Sequence, residues 1–467
     1  MLINQYYFNM TKKDFVLFRR QHYTKFSLVV VGILINALSS CNEKNEGEIS
    51  NNYDPNAPVV VERVLPTEAK FNENFIIQGK NFGSDVSKIE VLFENKLRKA
   101  IVISSDGTTI YGLVPRQTTG VNDIVLVVDG NVIETDKTIS YQEVTTTSVF
   151  TGAKTERAYT DGTLSGARFQ SSPACAFVAD GNLIVSELGQ SRLRLVSEKD
   201  NQVTTLVENM QVGKPGVNKE GNKAYVVGFA SNAHAVWELT KEHLWVPKKI
   251  RTAPITESQR EVWACDLDDS EEWLYFVDEG GKFIRMNLEN TDLVEVLIDG
   301  LFTSETGTKI ESDFGGFIIW SDVDKCFFVS SGHSNNLAVI YKVWEETGIW
   351  KKEVYAGMLG KPNFLDGYRL DEALIYRPKG MTLDVDGNLY FADGGGDKGA
   401  TGHRFRKIDR TTGMITTVAG SGYWESIVQS EPLKTSFWNP NDITVDTENN
   451  FILADELEGW WIKLAIE

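Results

Sequence analysis

The sequence predicts an all-β chain: a small two-sheet sandwich followed by a closed ring of six four-stranded sheets. Three observations predict it. Residues 380–420 contain four short β-type runs, 381–385, 388–392, 405–409 and 414–419, each separated from the next by a turn signal. The first turn, Asp386-Gly387-Asn388, is a tight hairpin, because Gly takes positive φ freely and Asp or Asn tolerates it. Four antiparallel strands with an apolar first strand make one blade of a β-propeller, which cannot bury both of its faces alone. Copies of that blade therefore have to exist, and they do, on both sides of it. Upstream of them, residues 57–142 alternate apolar and polar positions with no helical period, which is the pattern of half-buried strands.

Taken from the start, the chain opens with Lys12, Lys13, Arg19, Arg20 and Lys25, then an apolar run at 26–38 that ends in Leu38-Ser39-Ser40-Cys41. A basic segment, a short apolar segment and small residues describe a secretory signal over 1–40, too short to span a bilayer comfortably. Met10 serves as well as Met1 for the start, since the first nine residues add nothing to this signal. Small residues followed directly by Cys resemble the lipobox of bacterial lipoproteins, and the resemblance implies cleavage before Cys41 and lipidation of it. Residues 41–56 are polar and read as a flexible tether. Acidic residues just past Cys41 resemble the export signal of surface lipoproteins of glycan-uptake systems. That implies an outer-membrane protein, lipid-anchored and facing the extracellular side.

The chain carries a formal charge of −18 over 467 residues. The first 40 residues hold five Lys/Arg and one Asp, which leaves 42 basic against 64 acidic residues, a net −22. Such a surface repels nucleic acid and anionic head groups, so neutral ligands are the more natural partners. With Cys41 set aside, Cys175, Cys265 and Cys326 remain, an odd number inside apolar runs. They read as buried structural thiols.

Runs at 59–64, 74–78, 89–93, 99–104, 109–114 and 123–128 give roughly seven strands in residues 57–142, an immunoglobulin-like sandwich. Pro66 after the first strand, Gly79-Lys80-Asn81-Phe82-Gly83, and Val114-Pro115 resemble the IPT/TIG family. The resemblance implies a fold and a spacer or interaction role, with no activity attached.

Residues 143–467 hold the ring. Blades occupy 174–207, 214–251, 263–300, 317–357, 380–420 and 441–464, and the last lacks its fourth strand. An open ring exposes a strand edge, which proteins avoid. The missing strand is at the other end of the domain, where Thr146–Gly152 matches Ile415–Gly420. Asp161-Gly162 through Ala167 and Phe169 likewise repeats Asp366-Gly367 through Ala373 and Ile375. The first strand should complete the sixth blade. The shared string, with Asp-x-x-Gly-Asn-Leu-Tyr-x-Ala-Asp and Thr-Thr-Val-Ala-Gly as in blade 5, resembles the NHL repeat, whose propellers include scaffolds, ligand binders and a few lyases.

Function must come from the site. Aromatic rings beside Asn and Asp suit a sugar, offering a flat apolar face and fixed polar groups. Tyr423, Trp424 and Trp438 in the long connection between blades 5 and 6, with Asn441, Asp442, Trp460 and Trp461 nearby, supply them. Asp393 precedes an extended loop at 394–404 that carries His403 on the same face. Packing between blades is the competing role for each Trp. A second reading takes Glu187, Asp278 and Asp455 at the ends of second strands with His234, His333 and His403 as a metal or acid–base face, with a divalent metal in the channel. No HxH or HxxE spacing supports it, and no cofactor is otherwise implied. The function expected first is a surface lipoprotein that binds a glycan or other extracellular ligand as an accessory to polysaccharide uptake, beside outer-membrane transporter components. A propeller lyase or hydrolase and a protein-interaction scaffold remain as alternatives.

Overall fold

The computed structural model describes residues 53–154, 156–171, 174–187, 191–228, 235–252, 262–303, 307, 316–332, 337–395, 399–456 and 458–466. Cys41, the signal, His234 and His333 lie outside them. The described residues form two compact units, one of 53–68, 73–117 and 121–140, the other of 69–72, 118–120 and 141 onward. Among them there is no α-helix and no helix long and apolar enough to cross a membrane.

The sandwich strands are β1 (Val60–Leu65), β2 (Glu68–Ala69), β3 (Asn74–Lys80), β4 (Ile89–Phe93), β5 (Arg98–Lys99), β6 (Ile101–Ser105), β7 (Thr109–Leu113), β8 (Gly120–Val128) and β9 (Asn131–Tyr141). One sheet runs β1-β3-β7-β6 and the other β2-β9-β8-β4-β5. Alternate residues point inward: Phe75 and Ile77 of β3 meet Val91 and Phe93 of β4 in the core, with Phe75 and Phe93 edge-to-face at 5.9 Å. The Gly-x-Asn-Phe-Gly motif has a physical reading. Asn81 accepts from the Asp54 N–H at 2.8 Å and donates to the carbonyls of Asp54 and Ala57 at 2.9 and 2.7 Å, while Phe82 is buried. The motif thus staples residues 54–57, which lead into β1, to the end of β3. Besides the two-residue β2, the strand β9 was not separated out by the sequence pattern, because only Ile139 and Tyr141 of its residues are buried.

The ring has six blades. Blade 1 is β11 (Ala174–Phe177), β12 (Asn182–Glu187), β13 (Arg192–Ser197) and β14 (Gln202–Glu208). Blade 2 is β15 (Gly216–Val217), β16 (Lys223–Val227), β17 (Val236–Thr240) and β18 (Lys248–Arg251). Blade 3 is β19 (Val262–Leu267), β20 (Trp273–Asp278), β21 (Lys282–Asn287) and β22 (Val294–Asp299). Blade 4 is β23 (Ile318–Ser321), β24 (Cys326–Ser330), β25 (Val339–Glu346) and β26 (Ile349–Gly357). Blade 5 is β28 (Pro378–Leu383), β29 (Leu389–Asp393), β30 (Arg404–Ile408) and β31 (Met414–Ala419), with the short β27 (Gly367–Tyr368) outside β31. Blade 6 is β32 (Pro440–Val445), β33 (Asn450–Asp455) and β34 (Trp460–Ile466), completed by β10 (Thr145–Gly152). The pairing of β10 with β34, from Thr145 opposite Ile466 to Gly152 opposite Trp460, is the expected closure. The inner strands β11, β15, β19, β23, β28 and β32 neighbour one another in that order, and β32 returns to β11.

Period-two strands make each blade two-faced. In β12, Ile184 packs toward blade 2 while Leu183 and Val185 pack toward blade 6, against Ile452, Ala454 and Trp461. The same division recurs at every junction. Cys175, Cys265 and Cys326 sit in these layers as buried free thiols, and burial pushes Cys265 and Cys326 up to about 12.

At the centre, Lys214 reaches across the ring. Its Nζ donates to Asp442 Oδ1 at 2.6 Å and to the carbonyls of Met381 and Ile443 at 2.9 and 2.8 Å, and Asp442 Oδ2 accepts from the Cys175 N–H at 2.9 Å. Gly380 permits this approach, since a Cβ there would lie 2.0 Å from Asp442 Oδ1.

Candidate ligand site on the loop face of blades 5 and 6

The carboxylates that end the second strands are engaged within their own blades. Asp393 accepts from the N–H groups of Tyr376 and Arg377 at 2.9 Å each and pairs with Arg406 at 2.9 Å. Arg406 also donates to Asp366 and to the carbonyls of Leu365 and Leu374. Blade 1 repeats the arrangement with Glu187, Arg194 and Asp161, the Glu187–Arg194 contact being longer at 3.4 Å. Burial raises the pKa of both Asp393 and Glu187, while the guanidinium beside each opposes the shift. In blade 6, Val428 and Ile462 stand where Asp366 and Arg406 stand in blade 5, while Asp455, like Asp393, accepts from two loop N–H groups, those of Trp438 and Asn439, at 2.7 and 2.8 Å. Asp278 accepts from the Lys282 N–H at 2.9 Å. These groups therefore hold loops to strands. Among the described residues no group of three His, Cys, Asp or Glu is placed to hold a metal ion.

Six residues expected to face a ligand belong to the interior, among them Asp393 and His403, both fully buried. Trp461 is fully buried and meets Phe169 edge-to-face at 6.1 Å in the junction of blades 6 and 1. Trp460 is buried between blades 5 and 6. Asn441 and Asp442 are fully buried on the inner strand β32, where Asp442 anchors Lys214. Two positions account for the difference: Asn441 and Asp442 lie on the inner strand, and Trp460 and Trp461 point into the apolar layers on the two sides of blade 6.

The remaining aromatics do come together. Trp424 and Trp438, both half-buried, stack at 5.4 Å with their planes 15° apart, and Tyr423 beside them is 71% exposed. The connection that carries them doubles back on itself, Trp424 bridging to Phe437 and Ile427 to Ser436. Thr435, buried at its base, exchanges a hydroxyl hydrogen bond of 2.8 Å with Thr147 of β10. His403 is buried at φ +62°, and its Nδ1 lies 2.8 Å from the Trp438 carbonyl, so it fixes the backbone under that ring.

Around the stack lie polar groups that sequence reading did not single out. The Lys379 ammonium, buried, donates to Asn439 Oδ1 at 2.8 Å, and Asn439 Nδ2 donates to Glu456 at 2.7 Å. Burial pushes Lys379 down to about 8, with the Glu456 charge opposing the shift. Glu458 is buried and pushed up to about 7 by burial and by the neighbouring Asp455, against the pull of Arg157 and Lys154. Arg404 lies 3.6 Å over the Phe364 ring. The usable sequence signal was positional: Arg192 and Arg404 both open the third strand after a loop.

Fold and site together define an all-β protein, an IPT/TIG sandwich followed by a six-bladed propeller with aromatic side chains on its loop face. The IPT/TIG domain model matches residues 58–143. The chain belongs to the same family as a structural genomics protein of unknown function from Bacteroides thetaiotaomicron, 33% identical, with a TM-score of 0.78 over 89% of this chain and 100% of that one. An auxiliary nutrient binding protein from Bacteroides thetaiotaomicron (20% identity, TM-score 0.57) and one from Bacteroides ovatus (19%, 0.59) share the fold, each over 89% of this chain and 100% of theirs. Among curated proteins there is no significant match to the chain.

Proposed function

We propose that the protein is a cell-surface lipoprotein, anchored through Cys41 to the outer membrane, that binds a glycan on the loop face of blades 5 and 6 as an accessory to polysaccharide uptake. The observation that carries this reading is the parallel Trp424–Trp438 stack, half-exposed beside the exposed Tyr423 and bordered by Asn439 and Glu456. A pyranose ring presents C–H groups to such a plane and hydroxyls to polar groups at its margin, where the Glu456 carboxylate is part-exposed while the Asn439 amide is buried and already bonded to Lys379 and Glu456. The two proteins named for auxiliary nutrient binding support the reading at the level of shared architecture. The lipobox-like Leu38-Ser39-Ser40-Cys41 supports the anchor.

Affinity electrophoresis of the mature chain through gels carrying single polysaccharides tests the proposal. At least one glycan should retard the protein, and Trp424→Ala or Trp438→Ala should abolish the retardation while leaving the thermal transition in place. Retardation unchanged in both variants would place the glycan elsewhere on the chain, and no retardation by any polysaccharide would overturn the reading.

A further inference from the structure

Blades 1 and 5 carry the same device at the start of their third strands, and one half of it differs. In blade 1, Arg192 lies 4.4 Å over the Tyr159 ring and pairs with Glu208 at 2.8 Å, the residue opposite it on β14. In blade 5, Arg404 lies 3.6 Å over Phe364. Phe405 opposes Ala419, as Leu193 opposes Val207, so the place of Glu208 is taken by Gly420. No acid fits there: Gly420 sits at φ +113°, and a Cβ would lie 2.6 Å from the His403 carbonyl and 2.8 Å from the Arg404 Cα.

Arg404 consequently forms no ion pair among the described residues. Its Nη1 donates to the carbonyls of Thr401 and Gly402 at 2.7 and 2.8 Å, and Asp366 and Asp393, whose carboxylates bond Arg406, act on it only through longer-range attraction. The side chain is half-buried, and its guanidinium lies against Gly422, next to the Tyr423-Trp424 pair. A guanidinium has five N–H donors in a planar fork that matches a carboxylate or a sulfate. Here a cation held flat by an aromatic ring, with donors left over, borders the aromatic platform.

Resting on the glycan-binding reading above, we propose that the ligand is an anionic sugar, bearing a carboxylate or a sulfate, and that Arg404 is the residue that recognises the charged group. The acidic surface of the whole chain does not oppose this. At physiological salt, charges farther than about 8 Å from the contact are largely screened, and the local hydrogen bonds decide.

The test compares the mature chain's affinity, by titration calorimetry, for a polyuronate, the same polymer after carboxyl reduction, and a sulfated glycan. The polyuronate or the sulfated glycan should bind roughly tenfold or more tighter than the reduced polymer, the scale of a hydrogen bond to a charged group. Arg404→Gln should remove that preference, so that charged and reduced polymers bind the variant equally, and Arg404→Lys should restore part of it. Which anionic polymer is preferred separates carboxylate from sulfate. Binding that needs Trp424 but is equal for charged and reduced polymers would overturn this inference alone. Failure of every carbohydrate to bind would overturn it together with the glycan reading. Because the ligand itself is altered, the comparison does not depend on how the variants fold.

Discussion

Single residues in this ring carry charges whose placement sets measurable behaviour. Asp266, on the inner strand of blade 3, is pushed up to about 7 by burial, although the Trp320 N–H donates to it at 2.8 Å and the Lys214 ammonium attracts it. An acid whose folded pKa lies above its unfolded value of about 3.9 binds more protons when folded, so its contribution to stability falls as pH rises between those two values. Asp266→Asn keeps a carbonyl oxygen for the Trp320 N–H and removes the titration. Thermal melts should therefore show near-equal transition temperatures at pH 4, with the variant gaining on the native chain up to pH 8. Parallel curves across that range would show that Asp266 ionises normally. The same scale explains why the site was half legible. Trp424 and Trp438 are recognisable as aromatics in a loop, whereas the lone state of Arg404 depends on Gly420 standing where blade 1 has Glu208, which emerges only when the two blades are superposed residue by residue.

At the level of elements, the fold was legible wherever strands alternate and turns carry Gly with Asp or Asn. The hairpin at Asp384–Asn388 is an example: Asp384 accepts from the N–H groups of Asp386 and Asn388 at 3.0 and 2.8 Å, a turn held by its own side chain. Two kinds of strand escaped. β9 buries only Ile139 and Tyr141, and β27, Gly367–Tyr368, is too short for any period to register. Trp460 and Trp461 were expected beside a ligand but are both buried, because adjacent strand residues point to opposite faces and both faces of a blade are covered. The closing strand β10 was legible from repetition alone, and its role is testable. Deleting residues 145–152 would expose the edge of β34 from Trp460 to Ile466 and strip Thr435 of its Thr147 partner. The shortened chain should lose its cooperative unfolding transition for the propeller and elute as aggregate in size-exclusion chromatography; a monomer melting as sharply as the native chain would show that the ring holds without this strand.

For the ring as a whole, six junctions of apolar side chains close the circle, but the centre is held by charge. Lys214 precedes the shortest inner strand, β15, with two residues, where blade 2 has the fewest backbone bonds to offer. Its ammonium compensates by reaching blades 5 and 6 directly, through Met381, Ile443 and Asp442. Burial raises the pKa of Asp442 and the Lys214 charge opposes the shift, so removing the lysine leaves a buried carboxylate with only backbone donors. Breaking one partner of a buried pair typically destabilises by about 3–5 kcal/mol, whereas replacing both together is often close to neutral. Lys214→Met should thus lower the urea midpoint of the propeller markedly, and Lys214→Met combined with Asp442→Asn should recover most of the loss. A double-mutant cycle on the two positions should give a coupling of more than about 1 kcal/mol. Additive losses would mean that Lys214 acts through its bonds to the Met381 and Ile443 carbonyls alone, and that blade 2 is tied across the ring by neutral acceptors and needs no charge at its centre.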